Sequence, residues 1–378
     1  MAADILRFHA GEPHRAQGET YASPRAGERI LVQRRPVGVV GVITPWNFPI
    51  AIPAWKIAPA LVHGNTVVWK PASLVPLLAV RLTEALSEAG LPPGVLSTVF
   101  VNGKDADLIV GHHDIDAITF TGSTQVGRGL LERCGGLIKP VQAEMGGKNA
   151  AVVLADVDLD LAARLVADGA MASTGQKCTA TSRVVVAREV RDAFLERLCA
   201  RVASLRVGDG LQPGVDVGPV ASASARQEVL GHIDLAVREG ASILVGGDAV
   251  ESKDDGYFVR PTVALLADRD VALWREEVFG PVLAVTTAAC TEEALELAND
   301  SEFGLSGAVF TNDLTAALKA MARFEVGVLH VNSESTGADP HVPFGGVKQS
   351  GCGPKEQGRA ARDFYTQTST VYLRGSAE

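Results

Sequence analysis

The chain has 378 residues, 47% of them hydrophobic, and 35 Lys and Arg against 44 Asp and Glu, for a formal net charge of −9. That length suits two or three compact units that bury a core without staples, and an acidic balance with no basic run argues against nucleic acid as a partner. Five scattered cysteines without a CxxC pair point to a reducing, cytoplasmic setting, and no apolar stretch is long enough for a signal peptide core or a membrane span.

In chain order, Ala2–Ala10 has helical spacing but no capping lead-in, so the chain reads as starting partway through a larger protein. Glu28–Arg35 (ERILVQRR) is strand-like without a helix partner, as is Thr368–Arg374 (TSTVYLR). These two segments pair either with each other or across subunits. From Val37, β-branched runs alternate with helical patterns, the rhythm of parallel strands joined by crossover helices. The runs Val37–Ile43, Thr66–Trp69, Leu96–Val101, Ala117–Phe120 and Pro140–Ala143 predict one doubly wound, Rossmann-type sheet. Ala150–Leu154, Arg183–Ala187, Ser242–Val245, Val282–Thr286 and Gly307–Phe310, with helices over Leu159–Met171 and Val190–Leu205, predict a second α/β domain.

Four segments carry chemistry. Thr44–Pro49 (TPWNFP) follows the first strand and holds Asn47 in a Pro-bracketed turn, where an amide can donate to an oxyanion; an Asn in such a turn ordinarily satisfies its own backbone. Lys70 ends the second strand, where the ribose of an adenine nucleotide is expected, although a lone strand-end lysine is most often solvated. Thr119–Gly127 (TFTGSTQVG) runs from strand through a glycine turn into a helix suited to a pyrophosphate, with Gly122 and Gly127 outside the GxGxxG spacing. Val141–Asn149 (VQAEMGGKN) places Glu144 at a strand's carboxyl end, fit for acid or base work or for a salt bridge with Lys148.

The most informative stretch is Ser173–Ser182 (STGQKCTATS). Small hydroxyl residues surround Cys178, in a turn beyond a helix pattern ending at Gly175, which is the company of a nucleophile rather than of a packing thiol. Cys199 (FLERLCARV) reads as a packing cysteine. Asp156, Asp158 and Asp160 lack the glycine and glutamate of a calcium loop and read as a helix N-terminus. His112 and His113 read as surface residues, His341 has no evident proton partner, and Gly351–Gly358 predicts a helix starting at Pro354.

In order and spacing, TPWNFP, WKPAS, FTGS, EMGGK, GQKCTA, EEVFGP and PFGGVKQSG resemble the NAD(P)-dependent aldehyde dehydrogenase superfamily over nearly the whole chain. The resemblance implies an oxidoreductase with Cys178 as nucleophile, Glu144 as general base, Asn47 as oxyanion donor and Lys56 (in PAWKIAP) near the catalytic centre. It implies cofactor contacts from Thr44, Pro45, Trp46, Lys70, Ser73, Gly122, Ser123, Glu277 and Phe279, with no metal. A cysteine thiohemiacetal and then a thioester are the implied intermediates, and Glu144 argues for hydrolysis over transfer to coenzyme A. Ser73 stands where many NAD-preferring members have Glu, which leaves room for a 2′-phosphate, so NADP+ is tolerated or preferred beside NAD+.

The tail Pro340–Gly358 looks like the subgroup acting on 2-oxoglutarate semialdehyde (2,5-dioxopentanoate). The implied layout is a cofactor-binding domain over 1–146 lacking the family's first helices, with an oligomerisation strand at 25–36, then a catalytic domain over 147–345 and a C-terminal segment over 346–378 with a second oligomerisation strand. A homodimer or homotetramer acting on a small aldehyde follows. The competing expectation is a truncated, unstable or non-catalytic homologue that serves at most as an assembly partner, since an uncovered sheet face would expose apolar surface.

Overall fold

A computed structural model describes residues 1–15, 18–251 and 256–375. The chain divides into two compact units, one formed by Met1–Met145, Ala338–Gly345 and the segment from Gly351 onward, the other by Gly146–Gly337 and Gly346–Ser350.

The first unit is built on a six-stranded sheet. Its spatial order is Gly351–Cys352, Val141–Glu144, Ala117–Thr121, Val39–Ile43, Thr66–Lys70 and Leu96–Thr98. All neighbours run parallel except the edge strand Gly351–Cys352, which lies antiparallel to Val141–Glu144. Strands buried on both faces read as continuous apolar runs, and alternate residues serve opposite layers. Val40, Val42, Val67 and Trp69 pack with Ile57, Leu82 and Phe364 on one side; Ile43, Ile118 and Phe120 pack with Ile109, Leu130 and Cys134 on the other.

After Val39–Ile43 the chain builds outward on one side, then returns with Ala117–Thr121 on the other. That reversal creates a switch point, the place where a doubly wound sheet opens a crevice at its strands' carboxyl ends. Glu28–Pro36 pairs antiparallel with Thr366–Arg374 over nine residues and with Glu19–Ala22, making a separate three-stranded sheet. Of the two pairings left open by the sequence, the two segments adopt the one with each other.

The second unit has a seven-stranded sheet in the order Ser242–Val245, Thr262–Leu265, Val282–Ala288, Thr181–Ala187, Asn149–Val153, Ser306–Phe310 and Val328–Val331, parallel except at Ser242–Val245. Ala150, Val152 and Val185 face a layer containing Ile233, Leu295 and Ala320. Ala151, Val153, Val184 and Val186 face Val166, Phe194 and Leu198 of the helices Leu159–Met171 and Arg191–Ala203.

Two sequence expectations change here. Thr262–Leu265 and Val328–Val331 are additional strands whose burial does not alternate, so periodicity does not reveal them. No helix starts at Pro354: Glu356 pairs its backbone with Phe344 in both directions, at 2.7 and 2.8 Å, which holds the segment extended until a short 3₁₀ turn at Gly358–Ala361. Among the described residues no helix is long and apolar enough to cross a membrane.

Candidate active site

The predicted site residues fall into two groups, one in each unit. In the first unit, Thr44 follows Val39–Ile43 and Gly122–Ser123 follow Ala117–Thr121, so both loops leave the two strands that flank the switch point. Thr44 is buried, and its Oγ1 accepts from Trp69 Nε1 at 2.9 Å. Pro45, Trp46 and Asn47 continue the same turn, each half-buried. Ser123 is the N-cap of the helix Thr124–Gly136, its Oγ accepting from Val126 N at 3.5 Å, at the end of a helix that suits an anion.

Lys70 ends its strand 7% exposed, and its Nζ makes one long bond, 3.4 Å to the Pro71 carbonyl. Burial pulls its pKa below the ordinary lysine value. A buried ammonium so poorly accepted suits a hydroxyl or phosphate acceptor, and Ser73 is exposed three residues on. The first unit therefore fits a nucleotide.

Glu144 ends Val141–Glu144 and is 5% exposed. Gln142 Nε2 lies 3.5 Å from its Oε1. Gly345, at φ +150°, runs directly beside it: a Cβ there would lie 2.3 Å from Glu144 Oε1 and 2.8 Å from Lys355 Cδ. Lys355 donates to the Gly345 carbonyl and contributes positive charge near Glu144. Lys56 is wholly enclosed, and its Nζ donates to Thr119 Oγ1 at 2.9 Å, Gln142 Oε1 at 3.1 Å, the Phe120 carbonyl at 3.2 Å and the Glu356 carboxylate. Lys56 and Glu144 thus share one intermediary, Gln142.

In the second unit Cys178 is half-buried in a turn after the helix Leu159–Met171. Ser173 and Thr174 sit at φ +54° and +58°, a left-handed pair without glycine, and such strain marks positions that the surroundings hold in place. The loop is braced from two sides. Asn149 Nδ2 donates to the carbonyls of Cys178 and Ala180 at 2.7 and 2.8 Å, and a Cβ on Gly147 would come within 2.7 Å of the Cys178 carbonyl. Glu277 lies on a neighbouring loop, its Oε1 accepting from Gly147 N at 3.0 Å. Burial pushes its pKa up to about 7, against the Gly147 amide and the Lys148 charge that both lower it. Phe279 adopts φ +53°. Gly147, Gly175, Lys177, Thr181, Glu277 and Phe279 line one small recess.

Outside these groups, Asp158 caps Leu159–Met171 by accepting from the amides of Asp160 and Leu161, and Cys199 packs half-buried against the core. His112, His113 and His341 are exposed. Sequence reasoning missed Glu356, Gln142 and Thr119 around Lys56, Asn149 behind Cys178, and Gly345 beside Glu144. One signal was present, a lone lysine in the apolar helix Ala51–Val62, which demands buried acceptors.

Residues 1–371 match the model of the aldehyde dehydrogenase family. The chain is 42% identical over 373 residues to alpha-ketoglutaric semialdehyde dehydrogenase of Bacillus subtilis, covering 98% of this chain and 76% of that one. It is 41% identical to 2,5-dioxopentanoate dehydrogenase of Saccharolobus solfataricus, covering 98% and 77%. Among solved structures, the NAD-dependent aldehyde dehydrogenase from Sinorhizobium meliloti superposes with a TM-score of 0.96 at 36% identity, covering 100% of this chain and 74% of that one.

Proposed function

Because the chain belongs to the aldehyde dehydrogenase family and is an NAD(P)-dependent oxidoreductase of aldehydes, we propose that it oxidises 2-oxoglutarate semialdehyde, or a closely related small semialdehyde, to the carboxylic acid. The observation that carries this reading is Cys178 in a turn held through its carbonyl by Asn149, just beyond the strained pair Ser173 and Thr174, joined to the substrates in the names of its relatives.

In this reading Cys178, as thiolate, adds to the aldehyde carbon. The Asn47 amide and the Cys178 backbone N–H are the donors this reading assigns to the resulting oxyanion. Lys70, Gly122 and Ser123 would hold the cofactor's adenosine and phosphates, Thr44, Pro45 and Trp46 its adjoining part, and Glu277 and Phe279 its nicotinamide end. A bound NAD(P)+ would supply the acceptor for the hydride that leaves the adduct as the thioester forms. Glu144 then takes a proton from water, whose oxygen attacks the thioester carbonyl; the C–S bond breaks and the carboxylate leaves. Lys56 sets the electrostatics around Glu144 through Gln142. Ser73, carrying no charge beside Lys70, supports acceptance of NADP+ as well as NAD+. A homodimer or homotetramer in the cytoplasm completes the proposal.

The test is NAD(P)H formation with 2-oxoglutarate semialdehyde and each cofactor. The wild-type chain is expected to prefer that substrate over propanal or benzaldehyde by more than about tenfold in kcat/KM, a difference of roughly 1.4 kcal/mol, and Cys178→Ala to abolish turnover. Equal values for the three aldehydes would remove the substrate assignment, and a Cys178→Ala variant that still turns over would remove the mechanism.

A further inference from the structure

Lys148 closes the run VQAEMGGKN, and the reaction above does not use it. Its side chain is 2% exposed and its Nζ has no hydrogen-bond partner. An ammonium taken out of water without acceptors is costly to keep charged unless a nearby opposite charge offsets the lost solvation. The charged groups that act on it are Arg183, Glu276 and Glu277. Arg183 cannot be that group: it is itself cationic, and its guanidinium is committed to the carbonyls of Lys148, Leu297, Ala298 and Asp300 and stacked 4.8 Å over Trp274. Glu276 is exposed, with His232 at 3.9 Å.

Glu277 remains. Its carboxylate is anchored to Gly147 N, the residue adjoining Lys148, and presses so closely on Gly146 that a Cβ there would lie 2.1 Å from Oε2. The two glycines of the run thus seat this carboxylate, and the buried lysine that follows them is the positive charge that acts on it.

We propose that Lys148 is a positioning residue, whose buried ammonium keeps the Glu277 carboxylate ionised and seated on Gly147 so that it accepts hydroxyl groups of the dinucleotide cofactor. This rests on Glu277 being a cofactor contact, as in the function proposed above. Burial moves both groups to about 7, the glutamate upward and the lysine downward, and the charge of each opposes the shift of the other. Ionised Glu277 accepts and its acid form does so poorly, so this part of cofactor affinity is present above about pH 7 and lost as pH falls through it. Without the lysine the carboxyl pKa rises further, and the loss sets in at higher pH.

The experiment measures the Kd of NAD+ by calorimetry across neutral pH for the full chain, Lys148→Met, Glu277→Gln and the double variant, with circular dichroism as a fold check and Lys148→Gln in reserve should the methionine variant not fold. Expected is an approximately tenfold weaker Kd in Lys148→Met at neutral pH and an upward shift of the pH midpoint by about one unit, with no added loss in the Glu277→Gln background. An equal loss in both backgrounds, or an unmoved midpoint, overturns the proposal. Should Glu277→Gln alone leave NAD+ binding unchanged, the cofactor role of Glu277 falls instead. The pair is then decided by urea unfolding of the same four proteins: non-additivity of about fivefold or more in the unfolding constant supports it, and additivity overturns it.

Discussion

Gly345 shows how little room surrounds the proposed general base. Its φ of +150° and the 2.3 Å from its virtual Cβ to Glu144 Oε1 mean that one methyl group displaces the carboxylate. Misplacing a reacting group by about 1 Å costs roughly a hundredfold in rate. Gly345→Ala is therefore expected to slow thioester hydrolysis on that order while sparing attack by Cys178, so stopped-flow traces should gain a burst of NAD(P)H that the parent lacks. A variant with parental kcat would show that Glu144 is not the base. Cys178 stood out as a candidate nucleophile from its neighbours alone, because a thiol among Ser, Thr and Gly has no packing to do. Glu356 was not legible. It meets Lys56 across 300 residues of sequence, and no local pattern marks a carboxylate whose partner arrives from that far away.

Among elements, the helix Leu159–Met171 starts where the sequence predicts, since an acidic cap precedes a regular apolar stripe. Asp158 accepts from two backbone amides at 3.0 and 3.1 Å, so Asp158→Ala is expected to cost about 1 kcal/mol, read as a lower urea midpoint with NAD(P)H production per folded molecule unchanged. Loss of activity without loss of stability would tie the cap to the loop of Cys178, which follows this helix. The short strands behaved differently. Thr262–Leu265 is nearly all buried, so it carries no alternation, and Gly351–Cys352 is a strand only because Val141–Glu144 offers an edge for it. A four-residue strand with no alternation, or a strand of two residues, offers no local pattern, and pairing supplies the rest.

On the scale of the whole molecule, the sheet formed by Glu19–Ala22, Glu28–Pro36 and Thr366–Arg374 leaves Tyr21, Tyr372 and Leu373 at least 50% exposed. Exposed aromatic and aliphatic residues on a three-stranded sheet suit burial against another subunit. If this sheet carries the proposed assembly, Tyr372→Glu should lower the mass measured by light scattering toward that of one chain, and an unchanged mass would place the interface elsewhere. The sequence by itself determined the alternation of strands and helices and the doubly wound class, and it marked the candidate loops, because hydrophobic period, caps and turn residues act over a few neighbours. Only the tertiary structure decided that Glu28–Pro36 pairs with Thr366–Arg374, that Lys56 meets Glu356 and that Lys148 is buried beside Glu277 without an acceptor. Those outcomes depend on which distant segments exclude water from one another, and that free energy belongs to the packed chain rather than to any window of it.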